Sequence, residues 1–337
     1  MADPCISVCI AHYNGIDMIE ACLASVRSQV VGAGVEIIVH DDASSDGSAE
    51  YLQSAHPDVR LIESTQNVGF CIANNRMAEA ARGEYLLLLN NDATLMPDAL
   101  QVLLDEALSI DRPAILTLPQ FDDATGELLD IGSRLDPFLN PVPNRDTACR
   151  DIGTVHGACL WIPKRLWQEL GGFPAWFGSV GEDLYLCCRA RLAGYRVSAP
   201  GRSGYRHRVG QSFGGGKAVA GRLVSTYRRR ALSERNKSFV MIVCHPLPLL
   251  LLVLPLHVLL LVAEGVFLSL LRMDPRPLTG IYLPALAGCW REQIRLRAMR
   301  RVVQAGRRSG LRDYLSAFTC IPRKLSLLLR HGPPRLD

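Results

Sequence analysis

The sequence contains neither a G-x-G-x-x-G segment nor a G-x-x-x-x-G-K-[ST] segment. Dinucleotide-binding enzymes and P-loop nucleotide triphosphatases use these glycine-rich loops to hold phosphate groups on backbone N–H groups. Their absence argues against both classes of enzyme. If this protein binds a phosphorylated ligand, the phosphate charge would have to be met by a metal ion.

The cysteine patterns of zinc sites and of small disulfide frameworks are also missing. Eleven cysteines are scattered along the chain, two of them adjacent at Cys187 and Cys188, and no Cys-x-x-Cys pair occurs. This spacing favours reduced, mostly buried thiols of a cytosolic protein. The first residues lack the basic region of a signal peptide, so we expect the N-terminal half to stay in the cytoplasm.

Residues 238–263 contain no Asp, Glu, Lys or Arg. The apolar segment, about residues 239–271, is long enough to cross a bilayer, which takes ~20 residues. Pro246, Pro248 and Pro255 would kink a simple span, and basic flanks on both sides place both ends in the cytoplasm. We therefore expect a re-entrant helix pair bent near Pro255; a core helix of a soluble protein is the alternative.

Charges of the two signs are separated along the chain. Residues 1–201 hold 13 Lys and Arg against 27 Asp and Glu, a net of −14, and residues 202–337 hold 24 against 6, a net of +18. A basic half indicates an anionic partner, either phospholipid or nucleic acid. Residues 285–303 mix apolar side chains with arginines as a helix in the headgroup plane does. Because the apolar segment adjoins it, we expect membrane phospholipid and no nucleic acid as the partner.

Short apolar runs alternate with helical patterns through the first hundred residues. The runs at 5–11, 35–40, 59–63 and 85–89 are typical of strands. The last of them is apolar on both faces, as a central strand covered by helices on both sides is. Such alternation with short connections predicts an α/β fold with a Rossmann-like, mostly parallel sheet flanked by helices.

Polar side chains follow three of these predicted strands. They are Tyr13 and Asn14, Asp41 and Asp42, and Asn90, Asn91 and Asp92. Ligands of open α/β sheets bind just outside the carboxyl ends of the strands. A single carboxylate there could merely cap a turn or helix, but three polar strand ends at one edge favour a ligand crevice.

Glu182 and Asp183 begin a further predicted helix and lie among aromatic residues that include Trp176. Their charges could simply complement the helix dipole, a contribution of under ~1 kcal/mol. Alternatively, one carboxylate acts as a general base in a pocket whose aromatic lining stacks on a sugar ring.

Seven segments in this order and spacing resemble family 2 glycosyltransferases with the GT-A fold, including rhamnosyltransferase-like members. They are residues 7–14 (SVCIAHYN), 39–48 (VHDDASSDGS), 67–70 (NVGF), 89–92 (LNND), 172–173, 182–183 and His207. The resemblance covers about residues 5–215. The predicted domains are therefore a GT-A catalytic domain at 1–215 and a basic helical, membrane-associating region at 216–337.

The resemblance implies a role for each of the polar residues. Asp183 would be the catalytic base, Asp92 and His207 would be metal ligands, and Gly157, Trp176 and Glu182 would line the acceptor and sugar pocket. The nucleotide-sugar pocket would be formed by Tyr13, Asn14, Asp41, Asp42, Asn67, Gly69, Asn74 (or its neighbour Asn75) and Asn91. His207 could instead be a solvated residue of a basic loop.

The resemblance also implies a divalent metal, Mg²⁺ or Mn²⁺. The family often has an earlier Asp where this chain has Asn90 or Asn91, so the protein would hold the metal weakly and the diphosphate would supply more ligands. Mg²⁺ commonly keeps few protein ligands beside phosphate oxygens, and Mn²⁺ accepts an added imidazole.

The function expected from the sequence is inverting, metal-dependent transfer from a nucleotide-diphosphate sugar to a hydroxyl of a lipid-linked glycan or surface polysaccharide. The enzyme would act on the cytoplasmic face of the inner membrane. One alternative is a polyprenyl-phosphate glycosyltransferase, whose phosphate acceptor scarcely needs a base. Another is a catalytically inactive membrane scaffold that only binds nucleotide sugar. The sequence does not predict the sugar, the linkage or the oligomeric state.

Overall fold

The computed structural model describes residues 5–208, 215–219 and 222–336. The chain forms two compact units. The first unit comprises Met1–Ser133, Pro143–Ala190 and Tyr195–Arg208, and the second comprises Arg134–Val142, Arg191–Gly194 and Val209–Asp337. The domain boundary predicted at 215 stays a prediction.

The strands are short, as is usual for sheets flanked by helices. They are β1 Ile6–His12, β2 Val35–Asp41, β3 Arg60–Glu63, β4 Tyr85–Asn90, β5 Ala93–Leu95, β6 Ala114–Leu116, β7 Gln120–Asp122, β8 Leu128–Asp130, β9 Arg134–Leu135, β10 Pro141–Val142, β11 Cys159–Pro163, β12 Arg196–Ser198, β13 Tyr205–His207, β14 Gly215–Val219, β15 Arg222–Ser225 and β16 Arg335–Leu336.

The helices alternate with strands in the first half and follow one another in the second. They are α1 Ile16–Arg27, α2 Ser48–Ala55, α3 Phe70–Ala80, α4 Ala99–Ser109, α5 Lys164–Leu170, α6 Glu182–Leu192, α7 Tyr227–Cys244, α8 Leu247–Arg272, α9 Leu283–Arg291, α10 Gln293–Ala305, α11 Leu311–Leu315 and α12 Arg323–His331, with a 3₁₀ turn at Ala175–Phe177 and a π turn at Leu278–Tyr282.

A seven-stranded sheet in the order β12-β6-β11-β4-β1-β2-β3 forms the centre of the first unit as far as it is described. Strands β3, β2, β1 and β4 run parallel, β6 and β12 run parallel, and β11 is antiparallel to its two neighbours. Leu86–Leu89 of β4 are at most 2% exposed, which confirms a central strand covered on both faces. The mostly parallel α/β sheet predicted from the sequence is confirmed.

Two predictions about the helices need correction. The basic stretch 285–303 is divided between α9 and α10 rather than forming one helix. The chain also does not form two helices separated at Pro255, because α8 is continuous from Leu247 to Arg272 with that proline inside it.

A smaller sheet, β5-β13-β7-β8, lies at the end of β4 within the first unit. Strand β13 pairs antiparallel with β5, so that His207 lies opposite Ala93. The N–H of Arg208 donates to the carbonyl of Asp92 over 3.1 Å. This pairing brings a segment more than 100 residues downstream to the residues that directly follow β4.

The second unit is mainly helical. Helix α7 is almost fully buried from Glu234 to Cys244, and α8, α9, α10 and the π turn contain side chains that pack around it. Helix α8 is the one helix among the described residues that is long and apolar enough to cross a membrane, and 28% of its most apolar window is buried.

Candidate functional site

Asp92 and His207 meet where β4 ends. The Nε2 atom of His207 lies 3.1 Å from Oδ1 of Asp92, and Asp92 is 5% exposed. Their proximity follows from the β5–β13 pairing, which places His207 opposite Ala93, the residue after Asp92. The structure therefore brings together the two residues predicted as metal ligands.

Two further side chains fix the His207 imidazole. Gln120 Nε2 donates to His207 Nδ1 over 3.0 Å, and the Tyr205 hydroxyl donates to Gln120 Oε1 over 3.2 Å. With Nδ1 as the acceptor, the ring proton is on Nε2 and faces the Asp92 carboxylate, so ligation of a cation by Nε2 would require the other tautomer. Sequence reasoning missed Gln120, because its position depends on β7 pairing with β13 across an 87-residue separation.

The Asp92 environment fits a divalent cation. Its Oδ1 atom is buried and faces His207 Nε2 at 3.1 Å. An imidazole nitrogen and a carboxylate oxygen are donors that Mn²⁺ accepts, and Mg²⁺ accepts the carboxylate. Within the described part of the chain no group of three or more His, Cys, Asp or Glu residues forms a complete metal site. Any cation here would need further ligands from a bound molecule.

Asp183 lies at the first turn of α6 and is held by backbone donors. The Gly157 N–H donates to its Oδ2 over 3.0 Å, and the Leu184 N–H donates to its Oδ1 over 2.7 Å. Burial raises the pKa of Asp183 above its ordinary value of 3.8, against the lowering effect of these hydrogen bonds and of the nearby His156. A carboxylate with a raised pKa is a stronger base.

Asp92 and Asp183 are linked through two neighbouring strands. Strand β11 pairs antiparallel with β4, and the Asn90 N–H donates to the Ala158 carbonyl over 3.1 Å. Gly157, whose N–H group binds Asp183, therefore directly precedes Ala158, which contacts Asn90. Burial raises the pKa of Tyr205 well above 10, and the charges of Cys159, Asp130, Asp92 and Asp183 add to the rise. The charges of Asp92 and Asp183 therefore both act on the Tyr205 hydroxyl.

Asp41 and Asp42 differ in how their oxygens are used. Asp42 accepts the N–H groups of Val68 and Gly69 at 2.7 and 2.8 Å, which fixes the loop before α3. Asp41 Oδ1 accepts the Ser44 N–H over 2.9 Å, whereas its buried Oδ2 has no hydrogen-bond partner. Of the two predicted nucleotide-binding carboxylates, Asp41 therefore has the open acceptor atom and Asp42 positions a loop.

His12 at the end of β1 presents a complementary open donor. It pairs in register with Asp41 of β2, and it is 1% exposed. Asn91 Nδ2 lies 3.0 Å from His12 Nδ1, which assigns that nitrogen as the acceptor and puts the proton on Nε2. Burial lowers the pKa of His12, and its Nε2 has no partner. Sequence reasoning used Asn91 as a ligand contact and did not consider His12.

The other predicted nucleotide contacts lie around the ends of β1 and β3. Tyr13 is 51% exposed, and the Asn14 side chain accepts the Ser45 N–H over 2.8 Å. Asn67 is exposed and Gly69 has a φ of +87°, a left-handed value that favours glycine. Asn74 is 1% exposed and donates to the Phe70 carbonyl within α3, so its contact with a nucleotide stays a prediction.

Gly157, Glu182 and Asp183 form one cluster with Phe70. A Cβ atom at Gly157 would lie 3.5 Å from Glu182 Oε1, 3.7 Å from Asp183 Oδ2 and 3.7 Å from Phe70 Cε1. Phe70 stacks on Phe173 with a centroid distance of 6.1 Å. Sequence reasoning did not assign Phe70 to the pocket.

Trp176 and Asn75 belong to the surroundings of this cluster. Trp176 packs edge-on against Phe177 at a centroid distance of 4.8 Å, and its predicted sugar contact stays a prediction. Asn75 exchanges two hydrogen bonds with the backbone of Phe173, at 2.8 and 3.0 Å, so it fixes the loop before the 3₁₀ turn.

A second His–Asp pair lies beside the Asp183 cluster and was also missed from the sequence. His156 Nε2 lies 2.8 Å from Oδ2 of the buried Asp130. The pKa of Asp130 is lowered, because hydrogen bonds and charge from His156, with Ser133 and Gly132, outweigh burial. The sequence could have suggested His156, because it directly precedes Gly157. Its partner Asp130, however, is brought near it only by the tertiary structure.

Comparisons with known proteins agree with the fold. Residues 7–170 match the family model for glycosyl transferase family 2. Chondroitin synthase of Escherichia coli is 32% identical over 188 residues, 54% of this chain and 26% of that protein. N-acetylglucosaminyl-diphospho-decaprenol L-rhamnosyltransferase of Mycobacterium tuberculosis is 26% identical over 208 residues, 52% of this chain and 67% of that protein.

A crystal structure of GalNAc-T7 with UDP, GalNAc and Mn²⁺ shares the fold, with a TM-score of 0.54 and 16% identity over 72% of this chain and 48% of that chain. The chain spans 26% to 38% of the length of several curated relatives. Residues 7–170 therefore match a glycosyl transferase family 2 domain, and the chain has a GT-A-like fold.

Proposed function

We propose that this protein is an inverting, metal-dependent glycosyltransferase that moves a sugar from a nucleotide-diphosphate sugar to an acceptor hydroxyl. The observation that carries the proposal is the pairing of Asp92 with His207 at the end of β4, one strand away from the Gly157–Asp183 contact. A leaving-group site and a general base on neighbouring strand ends are what direct sugar transfer requires.

The donor nucleoside would lie at the ends of β1 and β2. Asp41 Oδ2 offers an open buried acceptor and His12 Nε2–H an open buried donor, and the two residues are register neighbours. A nucleobase edge carries adjacent donors and acceptors that can satisfy such a pair. The exposed Tyr13 ring and the Asn67–Gly69 loop complete the proposed pocket for the base and ribose.

Asp92 and His207 would hold the divalent cation together with the donor diphosphate. A bound Mg²⁺ or Mn²⁺ supplies Lewis-acid stabilisation of the departing nucleoside diphosphate. On the protein side, Asp92 would contribute its buried carboxylate oxygen, and Gln120 keeps the His207 ring in place. The Mn²⁺ in the GalNAc-T7 structure supports a divalent cation for this fold.

Asp183 would accept the proton of the acceptor hydroxyl. Its raised pKa makes it a better base, and its two backbone hydrogen bonds fix both oxygens. The acceptor oxygen attacks the anomeric carbon as the bond to the leaving phosphate breaks, and the proton passes to the carboxylate. A single base opposite the leaving group gives inversion at the anomeric carbon.

The acceptor class that we propose is a lipid-linked glycan or a cell-surface polysaccharide, with the enzyme on the cytoplasmic face of the membrane. The names of the two relatives, one a chondroitin synthase and one a rhamnosyltransferase acting on a decaprenol-linked sugar, support this class. The apolar helix α8 and the basic charge of residues 202–337 support membrane phospholipid as a partner.

A donor panel tests the proposal. UDP-, TDP- and GDP-sugars are each incubated with the purified chain and Mg²⁺ or Mn²⁺, and release of nucleoside diphosphate is measured. We expect release from one donor class, abolished by EDTA and by Asp92→Asn. No release from any donor would contradict the proposal and favour a scaffold that only binds nucleotide sugar, whereas release that persists in EDTA would contradict the metal dependence.

A further inference from the structure

Helix α8 runs antiparallel to α7 within the second unit. The Ser238 hydroxyl of α7 lies 2.9 Å from His257 Nε2 of α8, and Arg230 donates to Glu264 over 2.5 Å. The two helices are joined at His245–Pro246, and residues later in α8 contact residues earlier in α7. Helix α7 therefore lies alongside α8 from the first turn of α8 to Glu264.

A network of charged side chains lies at this pair. Glu234 of α7 contacts Lys237 and Lys324, both at 2.7 Å, and Glu264 contacts Lys324 at 2.6 Å. Glu234 is 2% exposed, but the Glu264 and Lys324 side chains retain 22% and 30% of their exposure. In the hydrocarbon of a bilayer, such partly exposed ions would cost ~2.5–3.5 kcal/mol each near the midplane.

The rest of the α8 surface is apolar and unpartnered in the structure. Leu252, Leu259 and Leu270 are 74%, 63% and 73% exposed. Seven and eleven residues separate them, which is close to two and three helical turns, so they form one line along the same face. This line is about 27 Å long at 1.5 Å per residue.

The same unit provides basic residues and an amphipathic helix next to α8. Arg272 ends α8, and the nearby Arg276 side chain is 76% exposed. Helix α12 begins beside the network through Lys324 and exposes Leu325 and Leu329 to 52% and 79%. An apolar surface bordered by cationic side chains complements the acyl chains and anionic headgroups of one membrane leaflet.

From these contacts we infer that α8 lies in the plane of the membrane, with its leucine line among the acyl chains of one anionic leaflet, and does not cross the bilayer. A crossing α8 would take α7 and the Glu234–Lys237–Lys324–Glu264 network to the same depth. Lying in the plane leaves the network on the side away from the lipid.

The inference rests on the membrane partner proposed above and is independent of sugar transfer. It is tested by measuring how deeply tryptophan side chains on α8 lie in the membrane. Trp290 is first replaced by phenylalanine, and one tryptophan at a time is then added at Leu252, Leu259 or Leu270 of the full chain, with the Trp290→Phe chain, which keeps Trp161, Trp167 and Trp176, as the background. Quenching by lipids brominated at different acyl positions is measured in phosphatidylglycerol-containing vesicles. We expect equal depths at the three sites; depths that change progressively from 252 to 270 would show a crossing helix and overturn the inference.

Vesicle flotation separates the remaining outcomes. Leu259→Glu should reduce binding to anionic vesicles by about tenfold or more, because a leucine that would lie among the acyl chains is replaced by a charge. Leu108→Glu is the matched control, since Leu108 is a 69% exposed leucine of the first unit and should leave binding unchanged. Absence of vesicle binding by the parent chain, or a dimer in detergent-free solution that Leu259→Glu dissociates, would overturn the inference. Neither result would alter the donor panel, which reports on sugar transfer alone.

Discussion

Asp183 combines two properties that a general base needs. The Gly157 and Leu184 N–H groups hold its two oxygens in place, and burial raises its pKa above 3.8. General base catalysis of this kind contributes ~10²–10⁴-fold to a rate. At the scale of single residues, the geometry and the electrostatics thus favour the same role for this carboxylate.

Replacement of Asp183 by asparagine should lower kcat by ~10²–10⁴-fold, because the amide keeps the size of the side chain but cannot accept the proton. The KM for the donor should change little. Steady-state kinetics with an acceptor measures both, and Asp111→Asn, an exposed carboxylate, is the control. A loss of less than threefold would instead favour a phosphate acceptor, which scarcely needs a base.

The pH dependence of kcat/KM should reveal the titration of the Asp183 carboxyl group. Transfer requires ionised Asp183, so kcat/KM should fall as pH drops through its raised pKa, above the ordinary 3.8. The charge of His156 lowers the Asp183 pKa, so His156→Gln should move this acid limb to higher pH. The raised pKa also means that this group favours folding most in its protonated form and contributes less as pH rises. An acid limb that stays in place in His156→Gln would contradict the coupling.

Short connections determine where the elements of the first unit meet. Gly83, between α3 and β4, donates its N–H to the Ser7 hydroxyl over 2.8 Å. A Cβ atom there would lie 2.6 Å from the Ser7 nitrogen and 2.8 Å from the Ile6 carbonyl carbon. The space at this glycine therefore sets how closely the α3–β4 connection approaches β1, and with it the position of the strand that leads to Asp92.

Gly83→Ala should destabilise the first unit by ~1–3 kcal/mol, because the added methyl group overlaps backbone atoms that cannot move freely. Urea unfolding followed by the fluorescence of the buried Trp161 measures the change in midpoint. Gly32→Ala is the matched control, since its nearest neighbour would be Gln101 Oε1 at 3.9 Å. Equal midpoints for the two variants would show that β1 and the connection can separate without cost.

The sequence predicted elements better than the contacts between them. Apolar runs and polar strand ends were sufficient for β1, β2 and β4 and for the edge that carries Asp41 and Asp92. Gln120 escaped prediction because β7 pairs with β13 over a long separation, and His156 because its partner Asp130, 26 residues earlier, is brought near only by the tertiary structure. The continuous α8 escaped for a related reason, since the local effect of Pro255 is outweighed by packing against α7.

The whole molecule separates its charges between its two halves. Residues 1–201 carry a net of −14 and residues 202–337 a net of +18. A diphosphate that approaches the strand ends of the acidic half meets carboxylates at Asp41, Asp42 and Asp92. The protein charge alone therefore repels the donor, and a divalent cation between Asp92 and the phosphates would reverse that interaction.

Pulsed electron paramagnetic resonance of Mn²⁺ tests this central claim most directly. The protein is mixed with Mn²⁺ and the nucleoside diphosphate of the donor class that the panel selects. The account predicts a ¹⁴N coupling from one imidazole, lost in His207→Gln, and loss of bound Mn²⁺ in Asp92→Asn. A spectrum without nitrogen coupling, or a coupling that survives in His207→Gln, would contradict the account.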